Sequence, residues 1–329
     1  MTLMAVDNRG VMTGTLTDGD VRRALLAGSG LDSLVGDVMH RDFRFLTSGH
    51  IDVTAIRRFR QAGIRLLPLL DTDGKIVRML DLSLNNTILP VSAVLMAGGR
   101  GERLRPMTDT VPKPLLPING KAIIDYNIEA LASAGIDDIT VATRYLAEKI
   151  ERHFADPVAG VRVKCVREET PLGTIGALSL ISRHDPEGVT LVMNSDLLTT
   201  ISFEEMYLTH TGRRADITIA VLPYAVSVPY AILCTDTDTH RVSGIEEKPT
   251  YSYYANAGIY MIGNRLLDSL EPGGHIDATD FVEKAIMEGH TVTYYPITGT
   301  WIDVGTPTDF KQAEELMRHL RNFSRTGNV

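Results

Sequence analysis

The spacing of apolar positions shifts repeatedly along the chain, and each shift predicts an element. The segment LMAVDNRGVMTGTLTDGDVRRALLAG reads as a strand, a turn at Asp7–Gly10, a second strand and a helix from Gly19. About fifty residues later, LLPLLDTDGKIVRMLDLSL repeats the strand, turn and strand, and the helical segment DVTAIRRFRQAG precedes it. This is a weak internal repeat of one small α/β unit. Turn chemistry at Asn85, Asn86 and Pro90 in DLSLNNTILPVS predicts a linker. It divides the chain into a domain over residues 1–88, a second over 91–323 and a short tail at 324–329.

Past Pro90, β-branched apolar runs alternate with helical segments. SAVLMA, DDITVAT, VRVKCV, VTLVMNS and ADITIAVLP read as strands, and AIIDYNIEALASAG, YLAEKIERHF, GTIGALSLI and SFEEMYLTH as helices. Alternation at this spacing predicts an α/β fold with a doubly wound, Rossmann-like mixed sheet, mostly parallel, with helices on both faces. Beyond Val221 the strands come closer together, in YAILCT, RVSGIEE, ANAGIYMI and TVTYYPI, which predicts an added antiparallel region. The chain closes with a helix from Pro307, with Thr306 as its N-cap.

Composition acts mainly by exclusion. The 329 residues suit about two domains at ~100–200 residues each, and 44% hydrophobic with 22% charged residues is ordinary for a globular protein. A formal net charge of −8 argues against general nucleic-acid binding, whose footprint is a basic surface, and leaves room for a local basic patch around a small phosphorylated ligand. Cys165 and Cys234 lie in no CxxC or Cys/His cluster, so neither structural zinc nor a disulfide framework is expected. Both are expected as buried thiols of a cytoplasmic protein. The N-terminus MTLMAVDNRG has an acid and no long apolar core, so no signal peptide is expected. No run approaches the ~18–20 apolar residues of a membrane span.

The candidate chemistry begins in LMAGGRGERLRPMTDTVPKPLLPI. Gly98, Gly99 and Gly101 follow an apolar strand, where ligands bind in doubly wound sheets, and such glycines let backbone N–H groups approach phosphate oxygens. The dinucleotide fingerprint fails because Leu104 stands where its third glycine is needed, and a P-loop fails because no Gly-Lys-Ser/Thr follows. The cations come later, at Arg103 and Lys113. Fixed cations suit a triphosphate whose charge moves toward a leaving pyrophosphate. The alternative is a basic surface loop anchoring sheet to helix, and the Gly/Arg/Lys spacing weighs against it. Asp196 ends the strand in LVMNSDLL, and Asp303 in TWIDVGTP precedes the last helix. A strand-end Asp is commonly a cap, but Mg²⁺ prefers one or two carboxylates plus phosphate oxygens. Lys248, between Glu247 and Pro249, reads by itself as half of a solvated Glu-Lys pair in a turn.

GGRGERLRPMT and PKPLLPI resemble the signature of the sugar-1-phosphate nucleotidyltransferases, or nucleotide-sugar pyrophosphorylases: a Gly-rich loop, Arg-Leu-x-Pro-x-Thr, then Pro-Lys-Pro-Leu. The resemblance runs from about Val91 to Leu320 and recurs at separated motifs. It implies the nucleotide-diphospho-sugar transferase fold and the reaction of an NTP with a sugar 1-phosphate to give an NDP-sugar and pyrophosphate. By the same resemblance Ala97, Gly98, Gly99 and Gly101 contact the nucleotide, and Arg103 and Lys113 hold the triphosphate and its departing pyrophosphate. Asp196 and Asp303 bind Mg²⁺, Lys248 clamps the sugar phosphate, Glu247 accepts from sugar hydroxyls, and Asn256 and Ala231 belong to the sugar pocket. Ala231 departs from the family's Tyr-Gly, and its methyl crowds the sugar; Ala122 stands for a usual proline.

Glu168 in REETPLGTIGALSL falls where thymidylyl enzymes carry a base-reading Gln, and Gly173 where the backbone meets the base edge. A carboxylate only accepts hydrogen bonds, and guanine offers two adjacent donors, so Glu168 leans toward GTP. The other reading leaves Glu168 a solvated strand-end charge. PLGT also looks like guanylyltransferases of mannose 1-phosphate, heptose 1-phosphate and related sugars, with a uridylyl- or thymidylyltransferase as the second choice.

The N-terminal part, through GTLTDGDVRRAL and MHRDFRFL…AIRRFRQAGIRLLPLLDTDGKIV, looks like a pair of cystathionine-β-synthase-type (CBS) modules, small α/β regulatory units. Such modules often bind an adenosine nucleotide through Thr/Ser-x-x-Asp, matched by Thr17 and Asp20; the alternative is that both cap the following helix. The first unit lacks the helix that usually precedes its opening strand, and the second has MLDLSL in place of Thr/Ser-x-x-Asp. The architecture is also similar to glucosamine-1-phosphate guanylyltransferases, which keeps an amino sugar beside mannose. A homo-oligomer without nucleic-acid or membrane partners is expected. A non-catalytic nucleotide-sugar sensor would have lost part of its cation and carboxylate set, whereas Arg103, Lys113, Lys248, Asp196 and Asp303 are all present.

Overall fold

The computed structural model describes residues 1–83, 87–183 and 185–326, with side chains described as far as residue 318. Asn85 and Asn86 of the expected linker lie outside the described residues. The chain forms two compact units, Met1–Pro90 with Leu131–Ile136, and Val91–Ala130 with Asp137–Val329. Among the described residues no helix is long and apolar enough to cross a membrane.

In the first unit, Thr2–Val6 pairs antiparallel with Met12–Thr17. The turn between them is held by the Asp7 carboxylate, which accepts from the Arg9 and Val11 N–H groups at 2.9 Å each. The second half repeats the device. Leu66–Leu70 pairs antiparallel with Ile76–Asp81, and the Asp71 carboxylate accepts from the Asp73 and Lys75 N–H groups. The repeat visible in the sequence is therefore one turn chemistry used twice. The helix Val53–Gln61 contributes Ile56 and Phe59 to a core with Leu46, Leu67, Leu69 and Leu80. The first helix spans Asp18–Leu26, one residue earlier than expected, because Thr17 and Asp20 close a capping box around its start.

The second unit is built on a sheet with the strand order Lys164–Arg167, Ile139–Thr143, Val91–Ala97, Val189–Asn194, Thr250–Gly263, Ile217–Ser227 and Val292–Pro296. Its neighbours run parallel except where Thr250–Gly263 is inserted antiparallel to both of its neighbours. Period-two alternation explains the burial. Val94 and Val192 face a core with Ile217, Ile262, Leu267 and Phe281. Their sequence neighbours Ala93, Leu95, Leu191 and Met193 point to the opposite face and are also buried. A sheet covered on both faces needs near-continuous apolar strands, and that is what these runs are.

Three expectations change. GTIGALSLI forms only the short 3₁₀ turn Gly176–Leu180, since its glycines are tied to a neighbouring loop. The antiparallel region after Val221 is not a separate layer: Thr250–Gly263 enters the middle of the main sheet, and Val292–Pro296 joins its edge in parallel. Ile232–Thr235 and Val242–Glu246 form a detached antiparallel ribbon. Cys234 lies on that ribbon and is exposed, not buried. Cys165 is half-buried, and burial with the nearby Glu151 charge pushes its thiol up to about 11. The last helix, Pro307–Thr326, starts where the sequence reading places it and extends into the segment expected as a tail from residue 324. Thr306 Oγ1 accepts from the Asp309 N–H, and Asp309 accepts from the Thr306 N–H and hydroxyl.

Candidate active site

One hydrophobic cluster positions the charged residues. Leu104, Leu116, Ile118, Leu198, Val304 and Ala313 are buried together, with Ile302 and Phe310 packed against them. Each charged candidate sits beside a member of this cluster: Arg103 precedes Leu104, Asp196 lies two residues before Leu198, and Asp303 is flanked by Ile302 and Val304. Leu197–Thr199 pairs antiparallel with Trp301–Asp303 in the register Leu197↔Asp303. The Val304 N–H donates to the Asp196 carbonyl at 3.1 Å, which brings the two aspartates to one place.

Lys113 enters between them. Its ammonium is paired with the Asp196 carboxylate and lies 3.5 Å from Asp303 Oδ1. The lysine is only 9% exposed, so the pair compensates a charge withdrawn from water. Burial is the main force raising the Asp303 carboxyl above its usual range, the Asp196 charge adds to it, and Lys113 and Arg103 oppose it. Arg103 itself is exposed, with its guanidinium against Gly305. Gly101, at φ +63°, makes the turn before Arg103; a Cβ there would lie 2.9 Å from Thr108 Cγ2 and 3.1 Å from Lys113 Cβ.

Next to this cluster a cavity of about 370 Å³ opens at the carboxyl ends of the Val91–Ala97 and Val189–Asn194 strands, where doubly wound sheets bind ligands. Ala97, Gly98, Gly99, Lys113, Glu168, Gly173 and Asp196 all line it. Glu168 is buried rather than solvated. Burial raises its carboxyl, opposed by the Leu172 N–H it accepts at 3.3 Å and by the Arg144 charge. A Cβ on Gly98 would stand 2.9 Å from Glu168 Oε1, so the glycine loop and the candidate base reader share one wall.

The sugar-side candidates do not converge in the same way. Ala231, Glu247 and Lys248 are exposed and lie outside this lining, on or beside the detached ribbon. Lys248 has a left-handed backbone at φ +46°. Asn256 donates to the Tyr260 hydroxyl at 2.7 Å and accepts from the Gly258 N–H, at the register shift where Thr250–Gly263 pairs with Ile217–Ser227. Thr17 and Asp20 belong to the first unit, and their side chains are engaged in the helix cap. Sequence reasoning missed Arg144, Thr174, His275 and Asp277, which also line the cavity. Arg144 had a signal, for it follows the Ile139–Thr143 strand next to the glycine-loop strand.

A mixed sheet with a ligand-sized cavity at its strand ends, lined by Gly98, Gly99, the buried Lys113 and Asp196, with Asp303 beside Lys113 but outside the lining, has the form of a doubly wound nucleotide site. Residues 92–319 match the family model described as Nucleotidyl transferase, and the chain belongs to that family. It is 33% identical over 239 residues to a mannose-1-phosphate guanylyltransferase of Mycobacterium tuberculosis, covering 70% of this chain and 66% of that protein. It is 29% identical over 232 residues to a D-glycero-alpha-D-manno-heptose 1-phosphate guanylyltransferase of Aneurinibacillus thermoaerophilus, covering 70% of this chain and 99% of the relative. The chain spans 61% of the length of a further relative, 34% identical, from Sulfolobus acidocaldarius. The crystal structure of HddC from Yersinia pseudotuberculosis superposes with a TM-score of 0.54 at 25% identity, over 69% of this chain and 99% of that one.

Proposed function

We propose that the chain is a sugar-1-phosphate nucleotidyltransferase, joining an NTP to a sugar 1-phosphate and releasing pyrophosphate. GTP is the proposed nucleotide, and mannose 1-phosphate or a related sugar such as glucosamine 1-phosphate the proposed acceptor. The observation that carries this reading is the meeting of Lys113 with Asp196 and Asp303 beside the Gly98–Gly99 wall of the cavity. The names of the guanylyltransferase relatives support the choice of base, as does Glu168, an acceptor facing the cavity from a buried position.

The chemistry is an in-line displacement. A sugar phosphate oxygen forms a bond to the α-phosphorus as the bond to the bridging oxygen breaks, and pyrophosphate leaves with the electron pair. Lys113 and Arg103 stabilise the charge that collects on the leaving group. The proposed role of Lys248 in holding the sugar phosphate rests on the family resemblance alone, since its exposed side chain lies outside the cavity lining. The donor set at Asp196, just before the strand Leu197–Thr199, and Asp303, on the strand paired with it, gives two neighbouring carboxylates that share the Lys113 ammonium, and it fits Mg²⁺. When bound, that ion would neutralise phosphate charge and orient the substrates.

A pyrophosphate-release assay over four NTPs and several sugar 1-phosphates tests the reading. Turnover is expected to be highest with GTP and mannose 1-phosphate. No release with any pair overturns it in favour of a non-catalytic sensor.

For the first unit we infer a CBS-type regulatory module that takes an adenosine nucleotide. The turn device used at both Asp7 and Asp71 supports two like half-units. A rise in melting temperature with AMP or ATP, reduced by Thr17→Ala, is the expected result; no shift with either nucleotide refutes it.

A further inference from the structure

A loop at the cavity and the start of a helix exchange caps. Asp277 occupies the N-cap position of the helix Ala278–Met287, yet its side chain makes no capping bond to that helix. Its carboxylate accepts instead from the Thr174 N–H, at 2.9 Å. In return the Ala278 N–H is capped by Thr174 Oγ1 at 2.7 Å. An N-cap aspartate ordinarily accepts from its own second or third helical N–H, so a local device has been turned to a long-range use.

Main-chain bonds brace the exchange. The Ile276 N–H donates to the Leu172 carbonyl at 3.0 Å, and the Ile175 N–H to the Ile276 carbonyl at 3.3 Å. No side chain fits in the seam: a Cβ on Gly173, at φ +81°, would overlap the Ile276 carbonyl, and one on Gly176 the Gly274 carbonyl. The other end of the loop is held by Glu168, which accepts from the Leu172 N–H. Two carboxylates thus pin Leu172 and Thr174. The Gly173 N–H between them has no hydrogen-bond partner among the described residues, and Gly173, Glu168 and Asp277 all line the cavity.

We propose that Asp277 and Thr174 are positioning residues for recognition of a guanine-type base. Their clamp sets one edge made of the Gly173 N–H as donor and the Glu168 carboxylate as acceptor. That edge complements a base presenting a carbonyl acceptor beside ring and exocyclic N–H donors. The proposal rests on the nucleotidyltransferase reading. A recognition edge tolerates little displacement, so affinity depends on residues that do not themselves touch the base.

Titration of the full chain with a GTP analogue carrying a fluorophore on its ribose tests this without needing turnover. Asp277→Ala is expected to weaken binding about tenfold, and Asp277→Asn, whose amide oxygen still accepts from the Thr174 N–H, to recover to within about threefold of wild type. Thr174→Val removes one half of the exchange and gives an intermediate loss, which keeps the test open if Asp277→Ala does not fold. The two losses combine less than additively, since both break one clamp. In turnover, KM for GTP rises more than kcat falls. A lowered melting temperature with unchanged affinity, or Asp277→Asn as weak as Asp277→Ala, overturns the clamp alone. A wild-type chain that binds no nucleotide overturns the functional reading first, and the clamp with it.

Discussion

Lys113 shows how much one residue is asked to do. It is buried, shared by two aspartates, and adjacent to a turn that only glycine fits comfortably. Asp196→Ala should lower pyrophosphate release by at least about two orders of magnitude with the fold intact by circular dichroism; near-normal release refutes its role. Gly101→Ala should cost about 1–2 kcal/mol through its φ of +63°, and displace Lys113 enough to lower kcat, read by urea denaturation and steady-state kinetics. Glu168→Gln keeps the volume and adds a donor, so the preference for GTP over UTP should fall about tenfold; an unchanged ratio would mean the backbone alone reads the base. At this scale the sequence resemblance singled out Lys113, Asp196 and Asp303 from separate motifs, and the structure brings these three side chains together. Thr174 and Asp277 were not legible. Asp277 looks like an ordinary helix cap in sequence, and its partner lies 103 positions away.

Among elements, the helix Phe203–Gly212 carries a pH dependence. His210 is buried against Thr218, and burial, only partly opposed by Asp216, lowers its imidazole from 6.5 to about 4. Above the unfolded value both states are neutral and nothing is lost. As pH falls from 6.5 toward 4 the unfolded chain takes up a proton that the folded chain refuses, so stability declines by about 3 kcal/mol across that window. His210→Gln should flatten the acid limb of stability measured by denaturant titration; an unchanged slope contradicts the assignment. The apolar strands were legible because a sheet buried on both faces leaves no polar alternation to misread. The turn Gly176–Leu180 was not, because glycines and a tertiary seam override a helical pattern. Nor was the insertion of Thr250–Gly263, since pairing order is not written in periodicity.

For the whole molecule, ligand binding and stability are linked. A nucleotide that binds only the folded chain adds about 2.7 kcal/mol at a hundred times its Kd. GTP should therefore raise the melting temperature more than CTP or UTP at equal concentration, and equal shifts would count against base recognition. The two compact units divide between Pro90 and Val91, and the inclusion of Leu131–Ile136 in the first unit had no sequence signal, being a matter of contacts between distant segments.

The cluster that gathers Leu104, Leu198, Val304 and Ala313 has a consequence for how the protein is made. Lys113 and Asp196 are translated long before Asp303 and the helix that covers Leu104. At roughly 5–20 residues per second, the hundred or so residues between Asp196 and Asp303 leave about 5–20 seconds in which the nascent chain carries an uncovered apolar face and an incomplete charge set. The cluster of Lys113, Asp196 and Asp303 is complete only once Asp303 has been translated, so a nascent chain stopped before Asp303 should release no pyrophosphate and be prone to capture by chaperones.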